Sequence, residues 1–270
     1  LAHMKRKNKK IVLLTGNSLA NKNTLRLFLE SELEVVGAVI QEPKSKLANF
    51  KFLQIAIKKQ GFLNVFLQII ERIYYKLLNN KKDQQILNEL FSREGINQAL
   101  SQTDIPILYT KNYNQKTVVN WVKDKSPDIL VIHTPYWVGK RLRDLVSGNV
   151  IGGHPGITPY YRGAHSPFWA IYYNDHERIG YTAFFVDKGV DTGDVIFQNT
   201  LQPQKGDSYM TLSWRGMIKI YEGIIDVLNH IDSIEEIPRT PLKEIPSTSL
   251  FFHPTIFQYI RYRRKQNKVR

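Results

Sequence analysis

The chain has 270 residues, 42% hydrophobic and 23% charged, a composition that supports a sizeable core and excludes wholesale disorder. It contains no cysteine, which excludes disulfides and thiolate metal sites and fits a reducing cytoplasm. The formal net charge of +14 points to anionic partners such as nucleotide phosphates, acidic cofactors, polyanions or a membrane surface.

Leu1 to His3 read as a cloning scar ahead of Met4, and residues 1–10 as a basic N-terminal segment of solvated lysines. That start lacks the apolar stretch of a signal peptide. No run of about 18 apolar residues marks a membrane span.

Ile11 to Thr15 is a short apolar run followed by the turn Gly16-Asn17-Ser18, the pattern of a buried strand entering a helix. Ser18 or Asn21 caps that helix, whose apolar positions Leu25, Phe28 and Leu29 recur at helical spacing. Glu34 to Ile40 is a second strand, so the first 30 residues or so form a βαβ unit and imply a parallel sheet. The first turn holds one glycine, Gly16. A dinucleotide fingerprint needs more, so an NAD-type site is not expected.

Residues 47–100 interrupt the alternation. Phe50, Leu53 and Ile57, then Phe62, Phe66, Ile69, Ile70, Ile73 and Leu77 mark amphipathic helices with lysines on the other faces. This predicts a helical insertion of hairpin type layered on the sheet. A basic amphipathic surface resting on a membrane is the second reading.

Strands are next expected at Ile105 to Leu108, Asp128 to His133 and Asn149 to Ile151, the last ending at Gly152-Gly153-His154. Helices are expected at Gln115 to Lys123, Gly139 to Leu145 and Trp169 to Tyr173. Two β runs, Tyr181 to Val186 and Val195 to Asn199, flank a Gly-rich loop. Thr211 to His230 is a helix with Trp214, Ile218, Ile225 and Leu228 on one face. Ile237 to Pro254 holds four prolines and reads as an extended linker. Phe257 to Tyr262 is a short terminal helix. The fold class is α/β: a Rossmann-like, mostly parallel sheet with helices on both faces, a helical insertion, and a short C-terminal helix plus extended tail. The expected divisions are a body at 11–205 and a C-terminal segment of helix, linker and basic tail at 206–270.

The chemistry concentrates between Gly148 and Gln198. This stretch has no paired histidines at helix spacing, so no metal is expected, and no phosphate-cradling Gly-Lys-Ser/Thr loop. His154 follows a strand end, and in a parallel α/β sheet ligands bind beyond the carboxyl ends of the strands. Asp191 sits in a Gly-rich loop and is expected to reach the same crevice, where a histidine and a carboxylate do proton chemistry.

The segments His154-Pro155-Gly156, Ile157-Thr158-Pro159, Tyr161-Arg162-Gly163 and Asp187-Lys188-Gly189-Val190-Asp191-Thr192-Gly193 together resemble the folate-dependent formyltransferases, which act on glycinamide ribotide, methionyl-tRNA or amino sugars. The likeness is specific over about 50 residues and extends weakly over the Rossmann-like body. It implies N10-formyltetrahydrofolate as formyl donor and an amine as acceptor, with His154 and Asp191 catalytic. His154 would stabilise the developing oxyanion and Asp191 would orient it and help remove the amine proton through water. The pterin would be held by Ile132, Thr134, Tyr136 and Val138 and by Val186, Asp187, Gly189, Val190 and Thr192. Thr158, Arg162, Gly163 and His165 would face the acceptor, although Arg162 and His165 equally suit bracing roles.

One departure stands out. The family places an asparagine two residues before the histidine to hold the formyl oxygen, and here that oxyanion position is Gly152. Asn149 lies too far back along the strand to replace it. The chain therefore reads either as an enzyme that uses other oxyanion donors or as a homologue that binds folate or a nucleotide sugar without turnover. Among the remaining side chains, His133 is core or a border of the folate pocket, and His176, His230 and His253 are surface or linker residues. Trp169, Tyr172 and Tyr173 pack their helix.

The residues after Thr211 form one helix and a proline-broken tail, unlike the β-barrel expected of a methionyl-tRNA enzyme. By elimination the expected acceptor is a nucleotide-linked amino sugar used for surface polysaccharide, with a tRNA-type acceptor as the alternative and nucleic acid otherwise not expected. A peripheral membrane contact and a homodimer through the spare C-terminal helix complete the expected partners. The expected location is the cytoplasm or the inner membrane surface.

Overall fold

A computed structural model describes residues 9–43 and 46–266. Most of the basic N-terminal segment and the last four residues lie outside the described residues. Lys9 and Lys10 within them are tied down, Lys9 Nζ to the Ile231 carbonyl at 2.5 Å and the Lys10 amide to Asp128 Oδ2 at 2.9 Å.

The first strand, β1 (Ile11–Gly16), is buried at every position, as expected of a strand covered on both faces. Helix α1 (Leu19–Leu29) starts at Ser18, whose hydroxyl accepts the Asn21 amide at 3.2 Å. Strand β2 (Val35–Gln41) runs parallel to β1 and completes the βαβ unit. The insertion comprises α2 (Lys46–Gln60), α3 (Phe62–Leu90) and α4 (Arg93–Gln102).

Alternation resumes with β3 (Ile107–Thr110), α5 (Lys116–Asp124), β4 (Ile129–His133), α6 (Lys140–Arg143) and β5 (Val150–His154). The two-residue strand β6 (Arg162–Gly163) and helix α7 (Ser166–Tyr172) follow. Then come β7 (Gly180–Phe185), β8 (Val195–Thr200) and α8 (Tyr209–His230). The chain finishes with β9 (Leu250–Phe251) and α9 (Ile256–Gln266).

The main sheet has seven strands in the order β3-β2-β1-β4-β5-β7-β8. The first five in that order run parallel, β7 pairs antiparallel with β5, and β8 pairs antiparallel with β7. From β1 the chain winds outward through β2 and β3, then returns to β4 and builds the other half. The reversal opens a crevice at the carboxyl ends of β1 and β4, where open α/β sheets bind ligands.

Alternate strand residues fill two cores. Leu13, Ile40 and Val131 on one face pack with Phe28 of α1 and Ile220 and Ile224 of α8. Leu14, Val39 and Leu130 on the other pack with Val118 and Val122 of α5. A third, aromatic cluster joins α3, α7, α8 and α9 through Tyr75, Phe168, Tyr209, Tyr259 and Tyr262.

Three expectations change. The insertion is three helices, and its long member α3 packs chiefly on α8, α9 and α2 rather than on the sheet. The inward stripe of α8 is Leu212, Gly216, Ile220, Ile224 and Leu228; Trp214, Ile218 and Ile225 are only half-buried. The proline-rich segment is not merely draped, because β9 pairs with β6 and Thr240 bridges to Val195.

Candidate active site

β5 ends in a crowded turn that carries His154. The ring is buried, and its Nε2 lies 2.8 Å from the Tyr161 carbonyl and 2.6 Å from Ser166 Oγ. A carbonyl only accepts, so Nε2 carries a hydrogen. The Ser166 hydroxyl donates to that same carbonyl at 3.1 Å, leaving its lone pairs for the imidazole. With Nε2 committed, Nδ1 is the ring nitrogen left for a further partner.

Nδ1 faces Asp191 Oδ2 at 3.5 Å. Asp191 adopts a left-handed backbone, φ 52°, a conformation aspartate tolerates better than most residues. Its Oδ2 also accepts the Gly163 amide at 2.8 Å. Gly163 has φ 84°, and a Cβ there would lie 2.5 Å from the Phe251 carbonyl oxygen, so this donor position requires glycine. The loop after β7 is pinned at its far end by Gly193, whose added Cβ would collide with the Phe185 carbonyl oxygen. Thr192 donates to Asp187 Oδ1 at 2.8 Å and braces the same turn.

The pair opens onto a cleft of about 700 Å³ at the carboxyl ends of the strands. The cleft wall includes eight of the nine residues assigned to the pterin; Thr192 stands behind it in the Asp187 contact. Of the acceptor-side residues, Gly163 lines the cleft and Thr158, Arg162 and His165 do not. Arg162 is buried, its Nε donating to Ser249 Oγ at 2.9 Å and its Nη1 to the Val190 carbonyl at 3.0 Å. It thereby ties the C-terminal segment to the Asp191 loop. The Thr158 amide donates to Thr182 Oγ1, and its carbonyl accepts from Gln198.

Gly152 lies in the wall. A Cβ built there would sit 3.0 Å from Ile132 Cγ1 and 3.1 Å from Val186 Cγ2. These two side chains occupy the space a larger residue would need. Asn149 is engaged elsewhere, accepting from Arg239 at 3.0 Å.

His133 is both core and border: it lines the cleft, bonds Thr24 Oγ1 at 2.7 Å and stacks on Tyr221. Burial pushes it down to about 3, so it is neutral. Sequence reasoning missed Asn21, Trp214, Met217 and Tyr221 in the wall. The last three lie at helical steps of three and four along α8.

His253 is not a surface residue. Its Nε2 lies 2.6 Å from Glu71 Oε2 and its Nδ1 2.7 Å from His165 Nε2. Glu71 also accepts from Tyr209 at 3.2 Å. This buried chain runs from α3 to the residue preceding Ser166, which holds His154. Burial pushes His165 and His253 down to about 3 and Glu71 up to about 7. Among the described residues no cluster of metal-binding side chains forms.

The family profile described as Formyl transferase matches residues 9–228. The chain belongs to the formyl transferase family. It is 30% identical over 118 residues to a methionyl-tRNA formyltransferase of Halothermothrix orenii, covering 43% of this chain and 37% of that protein. A second, of Anaeromyxobacter sp. (strain K), is 28% identical over 135 residues, covering 50% and 43% respectively. The chain thus spans under half the length of these curated relatives. Among solved structures it resembles a phosphoribosylglycinamide formyltransferase from Bacillus halodurans, with TM-score 0.54, 18% identity and coverage of 84% of this chain and 97% of that one. It also resembles a formyltetrahydrofolate deformylase from Pseudomonas syringae, with TM-score 0.53, 14% identity and coverage of 83% and 62%. These structural likenesses support the mostly parallel Rossmann-like fold.

Proposed function

We propose that this protein transfers a formyl group from N10-formyltetrahydrofolate to the amine of a nucleotide-linked amino sugar. The observation that carries the formyl transfer is the contact between His154 Nδ1 and Asp191 Oδ2 at the mouth of the strand-end cleft. The wall suits a flat heteroaromatic ring. Ile132, Tyr136, Val138, Phe184 and Val186 offer apolar surface, and Gly152 lets Ile132 and Val186 close together in that wall. Bound there, the folate supplies the formyl carbon.

His154 and Asp191 then manage the protons. The attacking amine loses one proton as its bond to the formyl carbon forms, and Asp191 receives it through water. His154 Nδ1–H donates to the formyl oxygen while charge builds there, and its proton replaces the bond broken at the donor nitrogen. Tyr161 and Ser166 keep the Nε2 hydrogen in place throughout, so that only Nδ1 exchanges its proton. Gly163 holds the carboxylate in register.

The acceptor assignment is supported by the C-terminal segment. After α8 it packs back on the body through β9 and α9, with β9 paired to the strand whose Gly163 amide holds Asp191, and the cleft beside that amide is of small-molecule size. A methionyl-tRNA acceptor is the second reading, favoured by the names of the curated relatives and by the positive charge.

Mass spectrometry of the purified chain with N10-formyltetrahydrofolate, a panel of amino-sugar nucleotides and methionyl-tRNA tests both. We expect a formylated sugar nucleotide, absent with His154→Ala. A formylated tRNA instead would transfer the assignment to the second reading. No formylated product from any acceptor, with folate still bound, would identify a binding protein and overturn the enzymatic reading.

A further inference from the structure

Helix α3 is inside out. Its buried positions include Gln68, Glu71 and Asp83, all polar, alongside Val65 and Tyr75. Each of the three is bonded inward: Gln68 to Gln60, Glu71 to His253 and Tyr209, and Asp83 to Tyr75. The apolar residues point the other way. Phe62, Phe66, Ile69, Ile73 and Leu77 follow at steps of four, three, four and four, which sets them on one face. All five are exposed, Phe62 by 69% and Leu77 by 79%. The stripe runs about 22 Å along the helix. Leu63, Tyr74 and Leu78 widen it. A contiguous apolar surface of this kind marks an interaction site.

The charge of the neighbouring sequence is one-sided. From Pro43 to Lys82 the sequence holds nine lysines and arginines and one carboxylate, Glu71, and Glu71 is fully buried. Exposed Arg72 and Lys76 border the stripe on α3, and Lys58 and Lys59 stand on α2. Helix α9 packs against α3 and adds exposed Phe257 and Ile260 with Arg261 and Arg264. From Phe257 to Arg270 there are six basic residues and no acidic one.

We propose that the outward face of α3, with the flanking basic residues of α2 and α9, docks on an anionic lipid bilayer. A helix with one apolar face and a cationic rim lies in the plane of such an interface, its apolar side among the acyl chains and its cations at the headgroups. A second copy brought face to face would set these cations against one another, whereas anionic headgroups supply the opposite charge. Among the described residues no helix is long and apolar enough to cross a membrane, so the contact is peripheral. The polar inner face then has its own purpose, since Glu71 and Tyr75 join the insertion to the body.

The test is co-sedimentation of the full chain with vesicles of phosphatidylcholine alone and of phosphatidylcholine with phosphatidylglycerol. The protein should partition onto the anionic vesicles and not the neutral ones. Phe62→Ser, Phe66→Ser and Leu77→Ser combined should weaken partition on the order of a hundredfold. Because the chain lacks cysteine, Leu77→Cys accepts a single environment-sensitive label. Its emission should shift to the blue on anionic vesicles, and a label at exposed Asp124→Cys, on α5 across the sheet, should not shift. Equal partition of the serine variant would assign the binding to the basic tails and overturn the proposal. Absence of partition, with a dimer in sedimentation that the serine variant abolishes, would give the face to a second copy instead.

Discussion

Ser166 Oγ lies 2.6 Å from His154 Nε2, the ring nitrogen that does not face Asp191. The contact is the second restraint, beside the Tyr161 carbonyl, on the nitrogen that carries the permanent hydrogen. In Ser166→Ala the Tyr161 carbonyl remains as acceptor, but one of two restraints on the ring is gone. A hydrogen bond of this kind is worth about 0.5–1.5 kcal/mol net, so kcat should fall about two- to tenfold while KM for the folate stays put. A kcat equal to that of the parent would show that the Tyr161 carbonyl alone sets the tautomer.

Asp191→Asn keeps an oxygen for the Gly163 amide but removes the charge opposite His154 Nδ1. Proton transfer assisted by a placed side chain contributes about 10²- to 10⁴-fold, and kcat should drop within that range. Folate binding, followed by tryptophan quenching, should persist, because the pterin side of the cleft is untouched. Full activity in the variant would take Asp191 out of the reaction.

How much of this was legible in the chain depended on sequence distance. The βαβ opening, the buried strands and the His154 and Asp191 blocks announce themselves because each motif is local: Asp191 and Gly163 are drawn together by two short glycine-containing loops 28 residues apart. The Glu71–His253–His165 chain was not legible. Its members are 182 and 88 residues apart, and a lone histidine in a proline-rich stretch carries no local mark of burial. Helix α3 misled in a different way. Its apolar period was plain, and the usual rule turns such a stripe inward. Here the inward positions are polar residues whose hydrogen-bond partners lie far along the chain, and periodicity is blind to those.

Gly152→Asn restores the residue type the family places before its histidine, but the cleft has closed around the glycine. A Cβ there presses on Ile132 Cγ1 at 3.0 Å and Val186 Cγ2 at 3.1 Å. Overpacking of a well-filled site costs about 1–3 kcal/mol, which for a chain of this size lowers Tm by roughly 2–4 °C per kcal/mol. The single variant should melt lower and bind folate more weakly, since Ile132 and Val186 both line the cleft. Adding Ile132→Ala should recover part of the affinity. Raised activity in Gly152→Asn alone would mean that the wall yields more readily than its packing implies.

Glu71 links the insertion to the site and gives the fold a pH signature. Its carboxyl is pushed up to about 7 by burial, while an unfolded chain titrates it near the ordinary glutamate value of 4.5. The folded state therefore holds the proton more tightly. Its contribution to stability is fully present below about 4.5 and is lost as the pH rises through about 7. His253 and His165 act in the opposite sense. Burial lowers both to about 3 against 6.5 when unfolded, so acid between those values destabilises the fold. Glu71→Gln removes only the first effect and retains an oxygen for Tyr209. Thermal melts of parent and variant at pH 4 and pH 8, bracketing the pKa values 4.5 and about 7, separate the two. The Tm of the variant relative to the parent should be higher at the upper pH than at the lower. The same difference at both would mean that Glu71 titrates alike in the folded and unfolded chains, and that His253 rather than the carboxylate sets the charge of the buried chain.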